Sequence, residues 1–99
     1  MIRKVYISPS VQQKIWEEHQ VEAWEVFDVF YNRLPKARRS SGRTKLLIGM
    51  TGKSRMLAIF FIQRNNTAHV RTAYDATEDQ RRFYREYKEE SEDEKPEDK

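Results

Sequence analysis

The sequence predicts an α+β domain in which a small antiparallel sheet is packed by helices, in the order β-α-α-β-β-β-α. Three observations predict it. Residues 44–74 hold three apolar or alternating runs separated by turn-forming residues at hairpin spacing. Two stretches with helical apolar spacing precede them, and a capping box opens a third stretch after them.

Val5 and Ile7 alternate with Lys4 and Tyr6, which reads as a short first strand. Ser8 then supplies an N-cap and Pro9 the first helical position, and Val11, Ile15, Trp16 and His19 mark the inner stripe of a helix. The pattern resumes with Ala23, Val26, Phe27 and Phe30 at i, i+3, i+4 and i+7, with Glu22, Glu25 and Asp28 on the polar side. Pro35 closes this second helix. Lys36–Arg43 combines bases with Ser40, Ser41 and Gly42 and is expected to be a mobile polar loop.

Thr44–Met50, Arg55–Ile62 and Ala68–Tyr74 are expected to form an antiparallel meander, with the run from Met56 to Ile62 central because it is apolar on both faces. Period-2 alternation in the last strand puts Ala68, Val70 and Thr72 on one face and His69, Arg71 and Ala73 on the other. Thr77 and Gln80 form the capping box of a third helix with Gln80, Phe83, Tyr84 and Tyr87 inward and Arg81, Arg85 and Lys88 outward. Residues 1–88 are therefore expected to form a single domain, and 89–99 an acidic, disordered tail.

Composition narrows the function. The chain has 99 residues and no Cys, so it offers no disulfide, no thiolate metal site and no cysteine nucleophile, and a cytoplasmic setting fits. The longest apolar run has seven residues, too short to cross a bilayer, and no apolar stretch of signal-peptide length follows Arg3 and Lys4. His19 and His69 lack carboxylates at ligand spacing, and three glycines cannot build a phosphate-cradling or dinucleotide loop, so no metal and no cofactor is expected. Residues 89–99 hold seven acids against two lysines, leaving 17 bases and nine acids in residues 1–88. Such a basic body calls for a polyanionic partner. Arginine outnumbers lysine eleven to eight, and tyrosines are interspersed, the combination that binds phosphate bidentately and stacks on unpaired bases of RNA.

Lys14, Ile15, His19 and Val21, then Glu25-Val26-Phe27, then Ile48-Gly49 with Thr51, Arg55 and Leu57, and finally Thr72-Ala73-Tyr74 with Arg81-Arg82 and Tyr84, follow one another in an order that resembles the BrnT family of type II toxins. The resemblance covers about residues 2 to 88. It implies a RelE-like ribonuclease fold, a metal-independent endoribonuclease activity, and a DNA-binding antitoxin partner of the ribbon-helix-helix type. The sequence departs from the family pattern where His69 replaces an arginine, where Gln80 replaces a glutamate, and at Ser41-Gly42-Arg43, where an acid is common.

Cleavage by 2′-hydroxyl attack needs a proton acceptor, a proton donor and cations for the phosphorane. His69 is the candidate acid or base, because imidazole is the side chain that titrates near neutrality. Arg71 and Arg82 are candidate phosphate ligands at the reacting centre and Tyr84 a candidate donor, with Arg43, Lys45, Arg55, Arg64 and Arg81 as further RNA-binding cations. The competing expectation is a non-enzymatic module of the same fold that binds nucleic acid or protein.

Overall fold

The computed structural model describes residues 2–89. The chain is α+β: β1 (Lys4–Tyr6), α1 (Pro9–His19), α2 (Ala23–Tyr31), β2 (Lys36–Ser41), β3 (Thr44–Met50), β4 (Met56–Arg64), β5 (Thr67–Asp75) and α3 (Glu78–Tyr87). The five strands form one mixed sheet in the order β1-β5-β4-β3-β2, antiparallel throughout except for the parallel β1–β5 pair. As expected from its two apolar faces, β4 is the central strand.

The helix boundaries follow their caps. Ser8 Oγ accepts the Val11 amide at 3.2 Å, with Pro9 at the first helical position. Thr77 Oγ1 accepts the Gln80 amide at 3.3 Å while Gln80 Oε1 accepts the Thr77 amide at 2.9 Å, which completes the capping box read from the sequence. Glu22 and Glu25 form a second reciprocal box at the start of α2.

Lys36–Arg43, expected as a mobile loop, is instead an ordered edge hairpin: β2 pairs with β3 from Lys36↔Gly49 to Ser41↔Thr44 across a two-residue turn, Gly42-Arg43. The strand KARRSS has one fully buried anchor, Ala37, and an edge position tolerates the polar remainder. Gly42 has φ +63°, at the first turn position where hairpins take glycine. Asn65 plays the same part in the β4–β5 turn, at φ 57°.

The sheet separates two apolar clusters. On one face, α1 and α2 cover Leu47, Leu57, Ile59, Phe61, Ala68, Val70 and Ala73, with Ile15, Val26 and Val29 at the contact. Gly49 lets α2 approach, since a Cβ there would lie 3.0 Å from Val29 Cγ1. On the other face, α3 covers Ala37, Leu46, Ile48, Ala58 and Ala76 with Tyr84. Because α3 packs on β2 and β3 near the Met50–Met56 end of the sheet, the other half of this face carries no helix.

A bulge corrects the strict alternation expected in β5. Phe60 pairs with Thr72 but Phe61 pairs with Val70, so Arg71 is an extra residue and the phase shifts past it. Ala73 consequently joins Ala68 and Val70 under α1 and α2, while Thr72 and Tyr74 join His69 on the α3 face. The domain extends one residue beyond the expected boundary, because the Glu89 amide donates to the Lys36 carbonyl at 2.8 Å and the Lys36 amide to the Glu89 carbonyl at 3.4 Å. The remainder of the expected acidic tail, 90–99, lies outside the described residues.

Candidate nucleic-acid interface

Across the helix-free half of the α3 face, two rows of residues can be followed through the strand register. One row runs Ser41, Thr44, Ile62, His69 and Tyr6, the other Arg39, Leu46, Phe60 and Thr72. His69 is half-buried and meets the Tyr6 ring edge-on, with centroids 5.9 Å apart and planes at 63°. Tyr6 is 49% exposed, so its outer surface faces solvent.

Charge is distributed unevenly around this half. Residues 29–74, which include four of the five strands up to the last residue of β5, contain no Asp or Glu. Arg3 and Lys4 at the start of β1, Arg43 in the β2–β3 turn and Arg64 at the end of β4 converge on one end of the sheet, where the Arg3 and Lys4 amides bind the Asn66 carbonyl. None of these four is held in an ion pair among the described residues. A concentration of unneutralised cations raises the local potential and favours a polyanion.

The structure separates the expected site residues into two groups. His69, exposed Arg71 at the bulge, and Arg64 stand on or beside the open half, with Arg43 at its rim. Arg82 lies on α3, where it pairs with Asp79 at 3.0 Å, a solvent-screened contact that a phosphate can replace. Asp79 itself borders a shallow cleft of about 60 Å³ with Arg39, Leu46, Gln80 and Phe83.

Four residues fall elsewhere. Lys45 is paired with Phe61 and therefore belongs to the α1/α2 face, opposite His69. Tyr84 is 6% exposed, its hydroxyl donates to the Pro35 carbonyl at 3.1 Å, and burial pushes its phenol above the ordinary value, so it is a packing residue and not a proton donor to substrate. Arg81 acts electrostatically on Asp75, six residues from His69 along β5, or roughly 20 Å at the rise of a strand.

Arg55 is the clearest correction. Its Nε and Nη2 donate to the two Asp75 oxygens at 2.8 and 3.2 Å, and Nη1 donates to the two Glu25 oxygens at 2.9 and 3.1 Å. The remaining directions go to the Gln20 and His19 carbonyls at 3.0 and 3.2 Å, the exposed end of α1. A guanidinium whose five donors are all engaged has none left for phosphate. These hydrogen bonds raise the Arg55 pKa and hold the Asp75 carboxyl below the usual range. Arg55 therefore joins α1, α2 and β5 and acts as a structural hub.

Sequence reasoning missed one feature at the border between α3 and the open half. Arg39 lies 5.0 Å over the Phe83 ring, whose centroid is 4.8 Å from that of Tyr87, which is 59% exposed. The signal was present in the i, i+4 spacing of Phe83 and Tyr87, but assigning Tyr87 to the inner stripe concealed it.

Among the described residues no group of three or more His, Cys, Asp or Glu could hold a metal ion, and no helix is long and apolar enough to cross a membrane. Compared with protein-family models, curated proteins and solved structures, the chain finds no match in any of the three.

Proposed function

We propose that the chain is a metal-independent endoribonuclease of the type II toxin kind, acting on RNA across the open half of the α3 face. The observation that carries this reading is the placement of the His69 imidazole beside Tyr6 on a sheet surface edged by arginines that form no ion pair among the described residues. Phosphates would bind Arg71, Arg64 and Arg43, which puts a 2′-hydroxyl within reach of His69. The imidazole takes the hydroxyl proton as the oxygen attacks the adjacent phosphorus, and the arginines stabilise the charge of the phosphorane. The proton returns to the departing 5′-oxygen, leaving a 2′,3′-cyclic phosphate. A co-encoded antitoxin with an acidic segment is the corresponding partner, since it would cover the same basic end.

Single-turnover cleavage of a mixed-sequence RNA in EDTA tests the reading. The parent protein should cleave, and His69→Ala should slow cleavage by roughly 10²-fold or more. Arg71→Ala should also weaken binding and flatten its salt dependence. Lys53→Ala is the control: Lys53 lies 5.5 Å over the Trp24 ring in the β3–β4 turn, at the opposite end of the sheet. A second reading, an RNA-binding module without cleavage, is favoured by the lack of any carboxylate beside His69 among the described residues. Binding with a steep salt slope and no cleavage above background would establish it.

A further inference from the structure

Beside the row that carries His69, the register lines up another row one step nearer the end of the sheet. Lys4 pairs with Thr67 and Thr67 with Arg64, so these residues cross β1, β5 and β4 in one line. They share the face of Tyr6, His69 and Ile62, because each stands two residues from one of those along its own strand, with no bulge between. Lys4 and Arg64 are exposed and Thr67 is half-buried. Among the described residues neither cation is held in an ion pair, and the Thr67 hydroxyl has no hydrogen-bond partner. At the usual strand spacing the Lys4 and Arg64 Cα atoms lie roughly 10 Å apart, a gap that their long side chains can close over Thr67 from both sides.

We propose that Lys4, Thr67 and Arg64 form a phosphate subsite that holds the RNA phosphate adjoining the one attacked at His69. The proposal rests on the RNA reading above and gives the strand a second, fixed anchor. Thr67 and His69 are two residues apart, or roughly 7 Å along β5, a distance that one nucleotide can bridge. Charge selects an anion for this row. Residues 2–16 and 29–74, which supply all five strands except Asp75, contain no Asp or Glu. Asp75 ends β5 six residues beyond His69 and is held by Arg55. Asp79, which α3 brings against Arg39 and Leu46, lies over β2 and β3, two or more strands from β5, and is paired with Arg82. The donor set selects phosphate. An ammonium, a hydroxyl and a guanidinium arriving from three strands meet an ion from several sides, which suits a tetrahedral oxyanion better than a planar carboxylate. An anchor one nucleotide away fixes which phosphate meets the imidazole, so these are binding residues that set the cleavage position.

The test compares 2′-O-methylated RNA dinucleotides, which cannot be cleaved, in forms with no terminal phosphate, with a 5′-phosphate and with a 3′-phosphate. Each is titrated at near-physiological salt and followed by the NMR shifts of Thr67 and His69. One phosphorylated form should bind roughly five- to 20-fold tighter than the unphosphorylated one, the scale of two screened charge contacts and one hydrogen bond, and the other less than about threefold tighter. Lys4→Gln and Arg64→Gln should each remove most of the larger gain. Thr67→Val, which keeps the branched shape and loses only the hydroxyl, should reduce it by about threefold. Lys53→Gln, at the opposite end of the sheet, should leave it whole. Inorganic phosphate alone should bind at least about tenfold more weakly than the favoured dinucleotide, since it lacks the second anchor at His69. Equal gains at both ends, or a gain that survives Lys4→Gln and Arg64→Gln, overturn the subsite, and inorganic phosphate binding as tightly as the dinucleotide overturns its assignment to RNA. In either case cleavage of unmodified RNA by the parent protein in EDTA would leave the ribonuclease reading standing. If the parent neither binds any of the dinucleotides nor cleaves RNA, both fall.

Discussion

Replacing Arg55 with Ala separates a structural hub from a phosphate ligand. In the folded chain, Arg55 is 26% exposed at its side chain and its partner Glu25 is 11% exposed, so both charges are substantially removed from water. Truncating one member of a buried pair typically costs about 3–5 kcal/mol, because the other charge is left uncompensated. Glu25 would retain the Glu22 amide as a donor, and Arg55 is a quarter exposed, which brings the expected loss to about 2–4 kcal/mol. Asp75 is 60% exposed and adds little. For a domain of this size, that loss lowers Tm by about 10–25 °C, a large fraction of a total stability of roughly 5–15 kcal/mol. Asp75 supplies a pH signature. Its folded pKa is depressed below the ordinary 3.8 by the Arg55 hydrogen bonds, so its contribution is present above that value and is lost as pH falls through the folded one. The parent should therefore lose stability in the acid range below about pH 4, and Arg55→Ala should lose that component of the slope. Circular-dichroism melts and urea titrations at pH 7 and in the acid range measure both effects. A loss under 1 kcal/mol with the pH slope unchanged, together with a marked fall in RNA affinity, would refute the hub and return Arg55 to the phosphate ligands.

Gly49→Ala should destabilise by about 1–3 kcal/mol in a urea titration, because the added Cβ meets Val29 Cγ1 at 3.0 Å and the Lys36 side chain at 3.3 Å. Tyr84→Phe should cost about 0.5–1.5 kcal/mol for the lost bond to the Pro35 carbonyl and leave RNA cleavage at the parental rate, whereas a proton donor at that position would make cleavage fall sharply. Removing residues 90–99, six acids and two lysines, should leave Tm unchanged, since the Lys36–Glu89 bridge is retained; it should tighten RNA binding at low salt, as measured by anisotropy titration.

The elements with local signatures were legible. Ser8-Pro9 and Thr77 with Gln80 announce their helices because capping chemistry is confined to a few adjacent residues. The apolar run in β4 revealed the central strand for an equally local reason. The strand β2 was hidden because an edge strand needs little apolar surface, and a single alanine in KARRSS is too small a signal to outweigh its bases and serines. The bulge at Arg71 was hidden more deeply. Nothing in Val70-Arg71-Thr72 marks an extra residue, which shows only in the pairing of β5 with β4.

That one-residue shift decides how the site is composed. With strict alternation, Ala73 would share the face of His69, and Tyr74 would share that of Val70 beneath α1 and α2. The bulge reverses both placements, so that a small alanine fits under the helices while Tyr74 reaches α3, where its hydroxyl meets Gln80 at 3.2 Å. Both requirements of β5 are then met along one strand: its first half offers His69 to the open surface, and its second half anchors the helix that ends the open surface. The same economy explains the arginines. Ten bases fall between Asp28 and Asp75 with no acid among them, so any of the ten looks like a phosphate ligand in the sequence. The fold brings both of those flanking acids, and Glu25, to the end of the sheet opposite Arg43 and Arg64, and it assigns Arg55 to two of them. Among the described residues the acids are thus gathered at one end and the uncompensated cations at the other, a division that depends on three-dimensional pairing and not on the order of charges along the chain.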